Sequence, residues 1–183
     1  MQGEVRPERR PEARVDGERA AGRREQPGPD VAFAVLFVCT GNTCRSAMAQ
    51  VLLERRLRGR RVSISSAGTN TVAGMPASDG AAQVMHEQGL DLSGHRSTPL
   101  TAGLVRSADL ILCMEVRHRQ RVLELVPEAE SRTRLLSDFS PRPGNEEIAD
   151  PVGASLEVFR EVAKIIAECL EKVAQDIERR LTP

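Results

Sequence analysis

Eight consecutive residues, Val31-Ala-Phe-Ala-Val-Leu-Phe-Val38, carry no polar side chain. A strand with one wet face alternates apolar and polar residues, and this run does not alternate. It reads as a strand covered on both faces, the situation of a parallel sheet with helices packed above and below. The downstream sequence fits that architecture. Residues 45–57 place Met48, Val51, Leu52 and Leu57 at helical spacing, and residues 61–67 alternate as a second strand. Pro76 to Gly89 reads as a helix with Pro76 in its first turn, Ala81, Val84 and Met85 along it, and Gly89 as its stop signal. A crossover segment then runs through Gly94 and Pro99. Ala108 to Met114 is a second fully apolar strand pattern apart from Asp109, followed by a helix over 117–126 that halts before Pro127 and a short strand over 133–136. Residues 137–153 carry the breakers Pro141, Pro143, Gly144 and Pro151 and read as loop. The last helix starts near Ser155 and puts Phe159, Val162, Ile166, Cys169, Val173 and Ile177 on one stripe. The predicted fold class is α/β, an open three-layer sandwich with about four parallel strands and helices on both faces. Ligands in such sheets bind outside the carboxyl ends of the strands.

At 183 residues the chain has room for one domain with a full core. Residues 1–30 hold seven Arg and seven acidic residues among Pro and Gly, with almost nothing large and apolar. Such a stretch cannot offset its own ordering entropy and is predicted to be a disordered tail, leaving 31–180 as the folded domain. The 26 basic and 26 acidic side chains cancel, so no global field draws the protein to nucleic acid or a membrane, and any anion site must be local. Four cysteines at 39, 44, 113 and 169 match neither a disulfide framework nor paired zinc ligands. No apolar run reaches the roughly 20 residues a bilayer requires, and the Arg-rich start is not followed by an apolar segment with a cleavage site. The expected location is cytoplasmic.

Chemistry is concentrated where the first strand ends. In Cys39-Thr40-Gly41-Asn42-Thr43-Cys44-Arg45-Ser46 a glycine lets the backbone curl, and a helix begins at Arg45. Successive amides and the helix N-terminus then form a nest for an anion such as phosphate. The same field favours a thiolate at Cys39. Arg45 brings a planar fork of donors over the loop to hold phosphoryl oxygens and the charge that develops on them. Ser46 is placed to hydrogen-bond the Cys39 sulfur and ease its departure. Cys113 and Arg119 repeat the Cys-to-Arg spacing, but that stretch has no glycine and carries Glu115, whose carboxylate would repel phosphate; Cys113 is read as a core residue. Asp150, held extended by Pro151, is the candidate acid and base, because a leaving group needs a proton and an attacking water must lose one.

The segment from Cys39 to Ser46 with Asp150-Pro-Val-Gly153, supported by Ser65-Ser-Ala-Gly68 and Ser107-Ala-Asp-Leu-Ile-Leu-Cys-Met114, resembles the low-molecular-weight protein phosphatase family. Its members are small cysteine phosphatases acting on phosphotyrosine or phosphoarginine. The resemblance implies a phosphatase I-like four-stranded parallel sheet, no metal and no cofactor, and phosphorylated proteins as substrates, with a monomer expected and oligomeric state open. It implies a catalytic set of Cys39, Arg45 and Asp150, with Thr40, Gly41, Asn42, Thr43, Cys44 and Ser46 around the phosphoryl group. Asn42 resembles the residue that braces the loop, and His95 the histidine of that bracing network. His86 and His118 are read as surface or core filler. Cys44 is similar to the second cysteine with which members form a reversible protective disulfide; a small side chain packed under the loop is the alternative.

Within the family, threonine at the position of Thr43 is associated with phosphoarginine enzymes, whereas phosphotyrosine enzymes tend to carry an aliphatic residue. A hydroxyl can satisfy a guanidinium donor that an isoleucine would leave unpaired. Phosphotyrosine members often wall a slot with tyrosines after the Asp-Pro pair, and this chain has no Tyr and no Trp. Removal of phosphate from phosphoarginine through a phosphocysteine is therefore the expected reaction, with phosphotyrosine as the alternative. Ala47 stands where the family usually has proline, and Val152 where an aromatic residue is common even in arginine-type members, so both are departures from the family pattern. Two further alternatives are arsenate reduction, which needs a cysteine pair that residues 86–106 lack, and a non-catalytic module that binds phosphorylated residues, against which the presence of both Cys39 and Asp150 argues.

Overall fold

The apolar run forms β1 (Phe33–Cys39), which pairs in parallel with β2 (Val62–Gly68) on one side and β3 (Leu110–Cys113) on the other. The fourth strand, β4 (Thr133–Leu135), adds in parallel to β3. The resulting order is β2-β1-β3-β4. The computed structural model describes residues 31–142 and 147–182; the tail expected over 1–30 and the breakers Pro143 and Gly144 lie outside the described residues.

Both faces of β1 are buried, as its composition demands. Phe33, Val35, Phe37 and Cys39 face a core built with α1 (Arg45–Arg56), α2 (Asp79–Glu87) and α5 (Leu156–Leu181). Leu36 and Val38 face a second core with α3 (Ala102–Ser107) and α4 (Val116–Leu125). Truncating a side chain as enclosed as Phe37 to alanine typically costs about 3–5 kcal/mol. The α5 stripe of Phe159, Val162, Ile166, Cys169, Val173 and Ile177 is buried throughout. After β2 the chain crosses β1 to lay down β3 and β4, so the strand order reverses between β1 and β3. That reversal opens a crevice at the carboxyl ends of these two strands, and Cys39 and Cys113 are their last residues.

Four departures from the sequence-based expectation have local causes. The helix expected from Pro76 begins at Asp79, because Ser78 caps it by accepting from the Ala81 amide at 3.4 Å. The crossover contains α3, whose cap Thr101 accepts from the Leu104 amide at 3.3 Å; at six residues it is too short for a periodic pattern to appear. Residues 127–132 and 136–139 form 3-10 turns where a simple connection and a loop were expected. The remaining elements shift by one or two residues: β4 stops at Leu135, α4 starts at Val116, and α1 ends at Arg56 with Leu57 as its cap.

Candidate active site

Most of the side-chain hydrogen bonds that hold the loop between β1 and α1 run through Asn42. Asn42 is fully buried and has the left-handed φ of 53°, a conformation that asparagine tolerates better than most residues. The curl expected at Gly41 is thus made at Asn42; Gly41 does not take a positive φ. Both Asn42 Nδ2 protons are used, on Ser46 Oγ at 2.9 Å and Ser66 Oγ at 2.8 Å. Its Oδ1 accepts from the Thr98 amide at 2.7 Å. Its carbonyl lies 2.6 Å from His95 Nε2, which must be the donor because a carbonyl oxygen only accepts. Ser66 passes its own proton to Gln50 Oε1 at 2.6 Å. Gly68 at the end of β2 lies so close beneath the loop that a Cβ there would sit 2.7 Å from the Thr40 carbonyl oxygen.

Cys39 is buried at the floor of the loop. Its sulfur lies 3.2 Å from the Asn42 amide and 3.0 Å from Ser46 Oγ. Since Ser46 Oγ already accepts from Asn42, its own proton is available to the sulfur, so two donors converge on the sulfur. Among the described residues no acceptor takes the amides of Gly41, Thr43, Cys44 and Arg45. These unpaired donors sit at the N-terminus of α1, where the helix dipole adds positive potential.

Arg45, the first residue of α1, is buried with its guanidinium turned to the carboxyl ends of β3 and the loop before α5. One terminal nitrogen contacts Glu115 Oε1 and donates to the Ile148 carbonyl at 2.9 Å. The other donates to Asp150 Oδ2 at 2.6 Å. Asp150 Oδ1 accepts from the Val152 amide at 3.3 Å, which fixes the carboxyl in the Asp-Pro loop. Thus Asp150 and the Cys39 loop share a site, with the Asp150 side chain still 35 % exposed and open to solvent. In this structure the Arg45 fork faces carboxylates and a carbonyl rather than lying open over the loop as expected.

Cys44 is buried with its sulfur 2.9 Å from Ser78 Oγ. Burial pushes its thiol up, and the hydrogen bonds from Ser78 and Thr43 only partly offset this. Ser78 also donates its amide to the Thr43 carbonyl at 2.9 Å, so the start of α2 is tied to the loop. Cys113 is a core residue whose thiol burial pushes up to about 12. The four cysteines are free and buried.

Two residues at this site escaped the sequence reading. Glu115, used only to dismiss the second Cys-to-Arg spacing, contacts Arg45. His118, read as filler along with the exposed His86, is buried, with Nε2 2.9 Å from Thr40 Oγ1. A usable signal existed: an acid directly after a strand buried on both faces stands at the ligand end of the sheet, and a residue three later on a helix shares its side. Burial, helped by the Arg45 and Arg117 charges and opposed by Glu115, pulls the His118 imidazole down to about 4. The unfolded chain takes a proton near 6.5 that the folded one refuses until about 4, so stability is complete above 6.5 and falls as the pH drops through that window. The thermal midpoint of the protein should therefore decline between pH 7 and pH 5 by more than that of His118→Gln, by about a few degrees. Equal declines would locate the acid sensitivity elsewhere.

Among the described residues no helix is long and apolar enough to cross a membrane. Fold and site together define a protein phosphatase of the small α/β type, and the comparisons agree. The profile of the family described as low molecular weight phosphotyrosine protein phosphatase matches residues 34–182. The chain belongs to this family. It is 37% identical over 149 residues to the low molecular weight protein-tyrosine-phosphatase Etp of Escherichia coli K12, covering 81% of this chain and 95% of that protein. It is 36% identical over 147 residues to a protein-arginine-phosphatase of Geobacillus stearothermophilus, covering 80% of this chain and 97% of that protein. The solved YwlE arginine phosphatase from G. stearothermophilus superposes with a TM-score of 0.73 over 81% of this chain and 94% of that one, at 36% identity. The tyrosine phosphatase AmsI of Erwinia amylovora superposes with a TM-score of 0.71 over 82% of this chain and 93% of that one, at 33% identity.

Proposed function

We propose that this hydrolase removes phosphate from phosphoarginine in proteins through a phosphocysteine intermediate, with Cys39 as nucleophile, Arg45 as phosphoryl clamp and Asp150 as acid and base. The observation that carries the reading is the meeting of the Cys39 loop and Asp150 at Arg45, whose guanidinium donates to the Asp150 carboxylate at 2.6 Å. The loop amides and Arg45 receive the three phosphoryl oxygens, and Arg45 exchanges its carboxylate partner for phosphate as substrate enters. Cys39 Sγ attacks phosphorus and the bond from phosphorus to the leaving nitrogen breaks. That nitrogen takes the proton held by Asp150, and arginine departs. Water then attacks the phosphocysteine, gives its proton to Asp150, and displaces the Cys39 thiolate, which Ser46 and the Asn42 amide receive.

The substrate assignment rests on Thr43. The relatives include tyrosine and arginine phosphatases at nearly equal identity, 37% and 36%, so overall similarity does not choose. Thr43 is a partly exposed residue of the loop itself, where its hydroxyl can take a guanidinium donor. Val152, after Asp150-Pro151, is 69 % exposed and aliphatic, and it does not choose between the two substrates. The test is kcat/KM on matched phosphoarginine and phosphotyrosine peptides. The arginine peptide should be preferred, and Thr43→Ile should move the ratio toward phosphotyrosine by about tenfold. An unchanged ratio would remove Thr43 as the selector, and a wild-type preference for phosphotyrosine would overturn the substrate class.

A further inference from the structure

The start of α4 touches both ends of the catalytic loop. Glu115 is the N-cap of α4, and His118 lies one helical turn on. Glu115 Oε1 meets Arg45, the last residue of the loop segment, while its Oε2 accepts from Arg117 Nε at 2.7 Å. His118 Nε2 lies 2.9 Å from Oγ1 of Thr40, the first residue after the nucleophile. His118 is 1 % exposed and its Nδ1 is buried without a partner. A neutral imidazole has one N–H. On Nε2 that proton serves Thr40; on Nδ1 it would be a buried donor with nothing to bind. His118 therefore donates and Thr40 Oγ1 accepts, which leaves the Thr40 proton free.

We propose that Glu115 and His118 are positioning residues that fix the two ends of the oxyanion loop from a single helical turn, Glu115 by orienting the Arg45 guanidinium and His118 by anchoring Thr40. The division of labour follows from the geometry. Asp150 must release Arg45 when it transfers a proton, and its side chain is more than twice as exposed as that of Glu115, 35% against 14%. Glu115 is thus the carboxylate that stays, keeping the guanidinium plane fixed while Asp150 turns over. Thr40 adjoins Cys39 and carries no side-chain contact to Asn42, so the Asn42 network leaves this end of the loop to His118.

This inference rests on the proposed phosphatase activity, and the test separates the two. Vanadate inhibition and p-nitrophenyl phosphate hydrolysis are measured for wild type, Glu115→Gln, His118→Phe, His118→Gln, Thr40→Val and the double variant Thr40→Val/His118→Phe. The Glu115→Gln protein should lose about tenfold or more in both kcat and vanadate affinity, the scale of a charge-assisted bond. His118→Phe should lose about fivefold in both, and His118→Gln, which keeps a donor near the Nε2 position, should recover most of it. Thr40→Val should match His118→Phe, with the double variant no worse than either single one, because both remove the same bond. Should His118→Phe fail to fold, Thr40→Val and Glu115→Gln carry the same expectation. Wild-type values in Glu115→Gln and Thr40→Val, or additive losses in the double variant, would overturn the clamp while leaving the phosphatase activity in place. A wild-type protein that neither hydrolyses the ester nor binds vanadate would sink the phosphatase proposal itself, and the clamp with it.

Discussion

Cys39→Ser should hydrolyse p-nitrophenyl phosphate at background rate, a loss on the order of 10⁴-fold or more in kcat, because the group that bonds to the substrate is removed. The substitution is nearly isosteric at a residue 2 % exposed, and the amide of Asn42 and the hydroxyl of Ser46 remain to contact the serine oxygen. The fold should therefore survive, with an unchanged thermal midpoint. A serine hydroxyl is far harder to ionise than a thiol, so the same environment leaves it a far slower nucleophile at neutral pH, and turnover is lost. Binding need not suffer, because the unpaired loop amides and Arg45 are untouched. Retained activity would shift the nucleophile to another group. Cys44, the other thiol of the loop, is a poor substitute because burial pushes its thiol up.

Asp150→Ala should lower kcat by about 10²- to 10⁴-fold on a phosphopeptide, the range typical of a lost general acid and base. The accompanying change in affinity is the more diagnostic result. In the structure Asp150 Oδ2 occupies one Arg45 nitrogen at 2.6 Å, and an incoming phosphoryl group must displace it. Without that carboxylate the guanidinium is released toward substrate, so KM and the vanadate inhibition constant should fall as kcat falls. A carboxylate that merely supported the loop would instead raise both constants when removed. Comparison of the two carboxylates on Arg45 sharpens this. Burial pulls the Glu115 carboxyl up, but the Arg117 and Arg45 guanidiniums outweigh it and hold the group below its ordinary range, so Glu115 stays charged on Arg45 while the more exposed Asp150 is the one free to leave it.

How far the sequence went depends on how local each feature is. The run from Val31 to Val38 announces a strand buried on both faces because it is short, rich in Val and Phe and does not alternate, and β1 answers it. The residues Cys39 to Ser46 were legible because strand end, loop and helix start are contiguous. Asn42 illustrates the limit of that contiguity. Its bracing role is implied by the resemblance, yet the curl of the backbone is expected at Gly41, since glycine bends most freely; only the partners Ser46, Ser66, Thr98 and His95 make Asn42 the residue that must turn. Glu115 and His118 lay out of reach for the same reason. Their contacts to Arg45 and Thr40 exist because β3 lies next to β1 in the sheet, and strand order is not written in any window of sequence. The late start of α2 and the short α3 were hidden differently. Each hangs on a side-chain cap, Ser78 and Thr101, and a cap outweighs Pro76 or a six-residue pattern only when the structure brings its acceptor to the right amide.

The covalent intermediate on Cys39 is the claim on which the rest depends, and it can be caught directly. Asp150→Ala protein mixed with p-nitrophenyl phosphate, whose leaving group departs without a proton so that only the water attack is slowed, then quenched in acid within the first turnover and digested, should yield the peptide containing Cys39 bearing one added phosphoryl group, and Cys39→Ala protein treated alike should yield none. An unmodified Cys39 throughout a turnover that nevertheless releases phosphate would contradict the account.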